Sequence, residues 1–198
     1  MIEMNKLLMN KKVVNIINDC HDLNFDLQEN DMLIVNYYSN CEKDININLC
    51  QNNNSYFVLN FSCIIKEDCH VNIKGLIKGN NNRCVINVRA LSEQNIGSFD
   101  VNVKVCENTK DNEVIEDLKG TIENGSLVLL PILEIDTNEV DAEHFATIGK
   151  FDEDELFYLQ SLGISLKSAY ELLKKSFIYS LFSDEFISLI TNGKEENE

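Results

Sequence analysis

Phe57-Val58-Leu59-Asn60-Phe61-Ser62-Cys63-Ile64-Ile65 and Phe99-Asp100-Val101-Asn102-Val103-Lys104-Val105-Cys106 are the stretches whose period decides the fold. In the first, Phe57, Leu59, Phe61, Cys63 and Ile65 occupy every second position. In the second, Phe99, Val101, Val103 and Val105 do the same. Side chains of a strand point alternately to its two faces, so this period of two marks strands with one buried face. From about Leu23 to Val140 such segments recur roughly every 10–15 residues, with polar turns between them. No segment between them has helical periodicity, which excludes alternating strands and helices and leaves a sandwich, a barrel or a β-helix. Upstream, Met1–Asn10 suits a short helix and Val13–Ile17 a strand.

Turn punctuation is unusual. Proline occurs once, at Pro131, and there are 8 glycines. Asparagine takes their place, notably at Asn52-Asn53-Asn54 and Asn80-Asn81-Asn82. Asn tolerates the left-handed backbone and bonds its own main chain, so it serves as a turn residue. Pro131 cannot donate to a ladder, so it predicts a strand start or an edge strand.

After Gly149 the period becomes helical. Asp152 is placed to cap a helix with Glu155 at N3, and Glu153 and Asp154 suit the positive end of its dipole. Gly163 stands where a C′ glycine ends a helix. Ser165 caps a second helix, about Leu166–Phe182, with an apolar stripe through Ala169, Leu172/Leu173 and Phe177. Ser183 opens a third, Glu185–Thr191, closed by Gly193. The expected division is an N-terminal segment 1–22, a β body 23–150, a helical part 151–193 and a frayed tail 194–198.

Composition excludes several functions. The net charge is −16, from 17 basic and 33 acidic residues. Such a surface repels phosphate backbones, so nucleic acid is not an expected partner. From Glu134 to Glu198 there are 15 acidic and 5 basic residues, which favours a basic protein surface as partner. No run of about 18 apolar residues occurs, so no membrane span is expected, and without a secretory signal the chain is expected in the cytoplasm. The cysteines, Cys20, Cys41, Cys50, Cys63, Cys69, Cys84 and Cys106, are scattered, with no C-x-x-C pair, and are expected reduced. P-loop, dinucleotide-binding and zinc-protease motifs are absent.

Three segments in order, Pro131-Ile132-Leu133-Glu134-Ile135, then His144-Phe145-Ala146-Thr147-Ile148-Gly149, then Phe157-Tyr158-Leu159-Gln160-Ser161-Leu162-Gly163-Ile164, resemble the C-terminal part of the SufB/SufD family of SUF-system scaffold proteins. The resemblance covers Pro131–Phe182 well and fades towards Tyr56. It implies a mainly β fold: a short right-handed parallel β-helix with a C-terminal helical subdomain. It implies a non-catalytic scaffold of iron–sulfur cluster assembly that docks a SufC-type ABC ATPase through its helices. It further implies pairing as a homodimer or as a heterodimer with a SufB/SufD paralogue. No tightly bound cofactor is expected, and the cluster is transient cargo.

Two departures stand out. Leu162 occupies a position where the family has arginine, and the family's cluster-linked cysteine has no counterpart between Gly125 and Pro131. His144, whose imidazole is an iron ligand or proton carrier near neutral pH, and Cys106 are the candidates for cluster assembly or metal ligation. Acidic Asp141 and Glu143 flank His144 in sequence and are expected to orient it. Phe157, Tyr158, Tyr170 and Phe177 are the candidate partner-binding residues. Two other readings stay open: a small β-rich metal-binding enzyme, and a regulatory binding module without cluster chemistry.

Overall fold

The computed structural model describes residues 10–19 and 21–192. The short helix expected at Met1–Asn10, the closing Gly193, the tail 194–198 and Cys20 lie outside the described residues, apart from Asn10 itself, which begins a strand.

Eleven strands and three helices follow one another: β1 (Asn10–Ile17), β2 (Leu23–Leu27), β3 (Asp31–Cys41), β4 (Ile45–Gln51), β5 (Tyr56–Ile65), β6 (Cys69–Ile77), β7 (Arg83–Ser92), β8 (Ile96–Val105), β9 (Asn112–Ile122), β10 (Ser126–Ile135) and β11 (Val140–Gly149), then α1 (Glu153–Ser161), α2 (Leu166–Tyr179) and α3 (Asp184–Asn192). Odd strands form one sheet in the order β1-β3-β5-β7-β9-β11. Even strands form the other, β10-β8-β6-β4-β2. Every pairing is parallel. Each coil of chain therefore lays one strand on each of two facing sheets, which resolves the three β architectures in favour of a parallel β-solenoid.

Register turns the period of two into files of like residues. On the inner face of the odd sheet, Val35 pairs with Leu59 and Leu59 with Ile86; beside them Tyr37, Phe61, Val88 and Leu118 form a second file. These side chains are fully buried. Tyr37 and Phe61 meet edge to face at 4.9 Å, and Phe61 reaches Phe99 across the core at 6.3 Å. The apolar files are the main source of stability, each large side chain contributing about 1.5–3 kcal/mol on burial.

Asparagine has two structural roles. Asn30, Asn54, Asn81 and Asp111 all have φ between 54 and 65°. They stack at one corner, where Asn30 N–H donates to Asn53 O, Asn54 N–H to Asn80 O and Asn81 N–H to Lys110 O. The left-handed turns expected of Asn are thus repeated coil upon coil. The second role is a ladder on the outer face of the odd sheet. Asn36 Nδ2 donates to Asn15 Oδ1, Asn60 to Asn36 and Asn87 to Asn60, each at 3.0 Å. The next rung, Asp117, takes Arg89 at 2.7 Å instead.

Pro131 lies mid-strand in β10, the edge of the even sheet, so the edge placement holds and the strand start does not. Gly79 is required by close approach, because a Cβ there would sit 2.5 Å from Asn53 N.

The helices dock on the outer face of the odd sheet. Tyr38, Leu91, Ile178, Phe186 and Ile190 form their own buried cluster, and Ser62 Oγ donates to Ile178 O at 2.6 Å. Lys174 Nζ of α2 reaches Glu93 at 3.1 Å and Glu123 at 3.0 Å, two carboxylates stacked at one corner of the solenoid. The capping residues are as expected, with differences in detail. Asp152 Oδ1 accepts from Asp154 N–H at N2 rather than from Glu155 at N3. Ser165 Oγ accepts from Ser168 N–H. Gly163 has φ +84°. The buried face of α2 runs through Ala169 and Ile178 and leaves Leu172 exposed, a correction to the expected stripe. The helix ends at Tyr179, short of Phe182.

Candidate functional site

The last coil of the solenoid has no coil above it. Among the described residues, β10 and β11 are each paired on one side only. The inward-facing phase of β11 is Val140, Ala142, His144, Ala146 and Ile148, in register with Asn112, Val114, Glu116, Leu118 and Gly120. On β10 the matching phase is Leu127, Leu129, Pro131, Leu133 and Ile135, stacked on β8. Only the deeper members of this layer are covered. Ile135, Ile148 and His144 are exposed, although their phase points towards the core. The result is an apolar mouth with a single imidazole near its middle.

His144 continues the file Val35–Leu59–Ile86, and between Ile86 and His144 stands Glu116. Glu116 is fully buried, and its carboxylate oxygens make no hydrogen bond of good geometry, although backbone groups of Val103 and Ile132 face them. Burial pushes its carboxyl up to about 8, opposed by backbone groups of Val103 and Ile132 on the facing sheet. In-register residues of parallel strands share a face, so Glu116 and His144 occupy successive layers of one file.

Asp141 and Glu143 do not share that face. Neighbours along a strand point oppositely, so they lie on the outer side of β11. The acid that shares a face with His144, Glu116, is one coil away in register, not next in sequence. The available signal was a Glu in the apolar phase Val114–Glu116–Leu118, which sequence reasoning passed over.

Cys106 sits in the corner between β8 and β9, half-buried, its N–H donating to Ile77 O and its carbonyl accepting from Thr109 Oγ1. It precedes the start of β9, whereas His144 stands level with Glu116, inside that strand. Cys63 and Cys84 are core residues. Cys41 is also buried, and the neighbouring Cys63 thiol together with burial pushes its thiol up. Among the described residues no three His, Cys, Asp or Glu side chains gather into a metal-ligand set, and no helix is long and apolar enough to cross a membrane.

The four aromatic candidates divide into two pairs. Phe157 and Tyr158 of α1 are exposed at 73% and 62%, beside exposed Leu162 and Leu166. Tyr170 and Phe177 turn inward and pack edge-on against Phe151.

The described residues thus form a parallel β-solenoid, open at its last coil, with a docked helical tail. Residues 123–177, which hold β10, β11, α1 and most of α2, match the family model described as SUF system FeS cluster assembly, SufBD core domain. An iron–sulfur cluster assembly SufBD family protein of Mycobacterium leprae is 44% identical over 55 residues, 27% of this chain and 14% of that protein. A SufBD family protein of Pyrococcus horikoshii is 38% identical over 58 residues, 29% of this chain and 13% of that protein. The iron–sulfur cluster assembly protein SufD of Escherichia coli is 30% identical over 70 residues, 31% and 16% of the two chains. The matches are partial, since this chain matches only 13–16% of those relatives' lengths. The likeness to the SufBD core domain is carried by this segment.

Proposed function

We propose that this chain is a non-catalytic structural subunit of cytoplasmic SUF-type iron–sulfur cluster assembly. Its open end pairs with a second β-solenoid, a copy of itself or a SufB/SufD paralogue, and takes part in handling the nascent cluster around His144. Its helical tail presents Phe157, Tyr158 and Leu162 to a SufC-type ABC ATPase. One observation carries this reading: the family match, 123–177, coincides with the strands that build the open end and the helices that carry the exposed apolar face. Apolar surface exposed at the open end and on α1 of an acidic chain supports reading both as contact surfaces.

The test is copurification of the full chain with a SufC-type ATPase. The wild type is expected to retain the ATPase and Phe157→Asp to lose most of it. Undiminished retention by the variant would remove the docking role. A second reading, a regulatory module without cluster chemistry, is favoured by the absence of cysteine from β10 and β11. Anaerobic reconstitution with iron and sulfide separates the two, because visible absorption of a bound cluster appears only in the first.

A further inference from the structure

We propose that the outer face of the odd sheet is a second contact surface, which docks a second copy of this chain face to face and antiparallel. This goes beyond the pairing proposed for the open end, which uses a different surface.

Register aligns Val13, Ile34, Val58, Val85 and Ile115 in one file across β1, β3, β5, β7 and β9. Ile34, Val58 and Val85 immediately precede the buried Val35, Leu59 and Ile86, so this file points outward. An outward file facing water is ordinarily polar, as the neighbouring Asn15–Asn36–Asn60–Asn87 ladder is. The aliphatic file belongs to neither buried cluster. The helices lie further along the strands, where α2 crosses β5 and β7 beside Ser62 and Leu91. Val13 is 50% exposed and the other four are partly exposed. Met32 and Tyr56, paired in the next file, widen the apolar stripe. A continuous apolar stripe on an uncovered sheet face is the mark of a contact surface.

The order of residues along the stripe identifies the occupant. Ile34–Val58–Val85–Ile115 reads the same from either end, and so do the central amides Asn60 and Asn87 of the ladder beside it. A two-fold axis parallel to the strands, midway between β5 and β7, sets Ile34 opposite the second copy's Ile115 and Val58 opposite its Val85. An isologous interface has to be self-complementary in this way. Charge follows the same order. The file Lys11–Met32–Tyr56–Arg83–Glu113–Asp141 starts on a cation and ends on an anion, and Arg83 and Glu113 within it are ion-paired at 3.0 Å. Antiparallel docking brings Lys11 of each copy to Asp141 and Glu143 of the other, whereas parallel docking sets like charge on like. Within one chain Lys11 and Asp141 stand at opposite edges of the six-stranded sheet. That separation is about 24 Å at the spacing of paired strands, too far for the two to touch.

The test is sedimentation velocity on the purified full chain over a concentration series. At about 0.15 M salt the Debye length is about 8 Å, so the self-repulsion of a chain of net charge −16 is screened while close pairs are not. Wild type is expected to form a closed dimer. Val58→Lys, mid-stripe and far from both ends of the solenoid, is expected to weaken it at least about tenfold with the fold retained by circular dichroism. Lys11→Glu should weaken it too. Lys11→Glu combined with Asp141→Lys in one chain should restore it, since only contact between copies brings the two positions together. Lys11 is exposed, so these two variants decide the outcome even where Val58→Lys does not fold. A monomeric wild type, an undiminished dimer in Val58→Lys, or no restoration by the double exchange would overturn the face. Association untouched by both Val58→Lys and Lys11→Glu would move the contact to the open end, overturning this inference and leaving that pairing standing. A larger wild-type species that Val58→Lys reduces to a dimer would uphold both surfaces.

Discussion

Glu116 shows what a single residue can disclose once register is known. Its carboxyl, ordinarily near 4.5, is pushed by burial to about 8. The folded state therefore holds a proton that the unfolded chain gives up. The resulting stability is complete below about pH 4.5 and is lost as pH rises through about 8. Glu116→Gln mimics the protonated acid at every pH. Thermal denaturation should show the variant melting above wild type at pH 9 and the two converging near pH 5; equal curves at pH 9 would contradict the buried acid. Asn108, with φ 60°, supports a second prediction at this scale. Asn108→Gly should be nearly neutral, while Asn108→Val should cost about 1–2 kcal/mol in denaturant unfolding, because a β-branched residue resists the left-handed region.

Elements were legible where one physical signal acted alone. The alternation of Phe57–Ile65 and Phe99–Val105 gave strands, and Asp152, Ser165 and Gly163 gave helix ends, because both signals are local. Parallel pairing was not legible, since a half-buried strand reads the same in a sandwich, a barrel or a solenoid. Nor was the register neighbour of His144, because in a solenoid the residue that shares a face lies a whole coil away. The asparagines were read correctly as turn residues, but the ladder Asn15–Asn36–Asn60–Asn87 was missed: its spacing grows from 21 to 24 to 27 residues, so it leaves no fixed repeat. Asn60 both donates to and accepts from its neighbours in that ladder. Asn60→Ala should cost about 1–3 kcal/mol by chemical denaturation, since it leaves two half-buried amides short of a partner.

The helical tail is held to the solenoid by a small apolar cluster and by Lys174, which is largely buried between Glu93 and Glu123. Lys174→Met should weaken docking by about 1–3 kcal/mol, the range for hydrogen bonds between charged groups. Limited proteolysis is the measure, with faster cleavage between β11 and α2 expected and an unchanged pattern counting against the clamp.

At the scale of the whole molecule, the solenoid closes its core laterally by two facing sheets but leaves it open at the last coil. Stacked coils satisfy one another, and a terminal coil without a cap exposes both apolar side chains and the edges of two sheets. Ile135, Ile148 and His144 stand exposed on the inward-facing phase of that coil. This end, with His144 at its middle, is proposed to work in iron–sulfur assembly. Complementation of a SUF-deficient strain by wild type and by His144→Ala tests it most directly. Wild type is expected to restore the activity of an iron–sulfur enzyme and His144→Ala is not, although the purified variant melts at the same temperature. Full restoration by His144→Ala would contradict it.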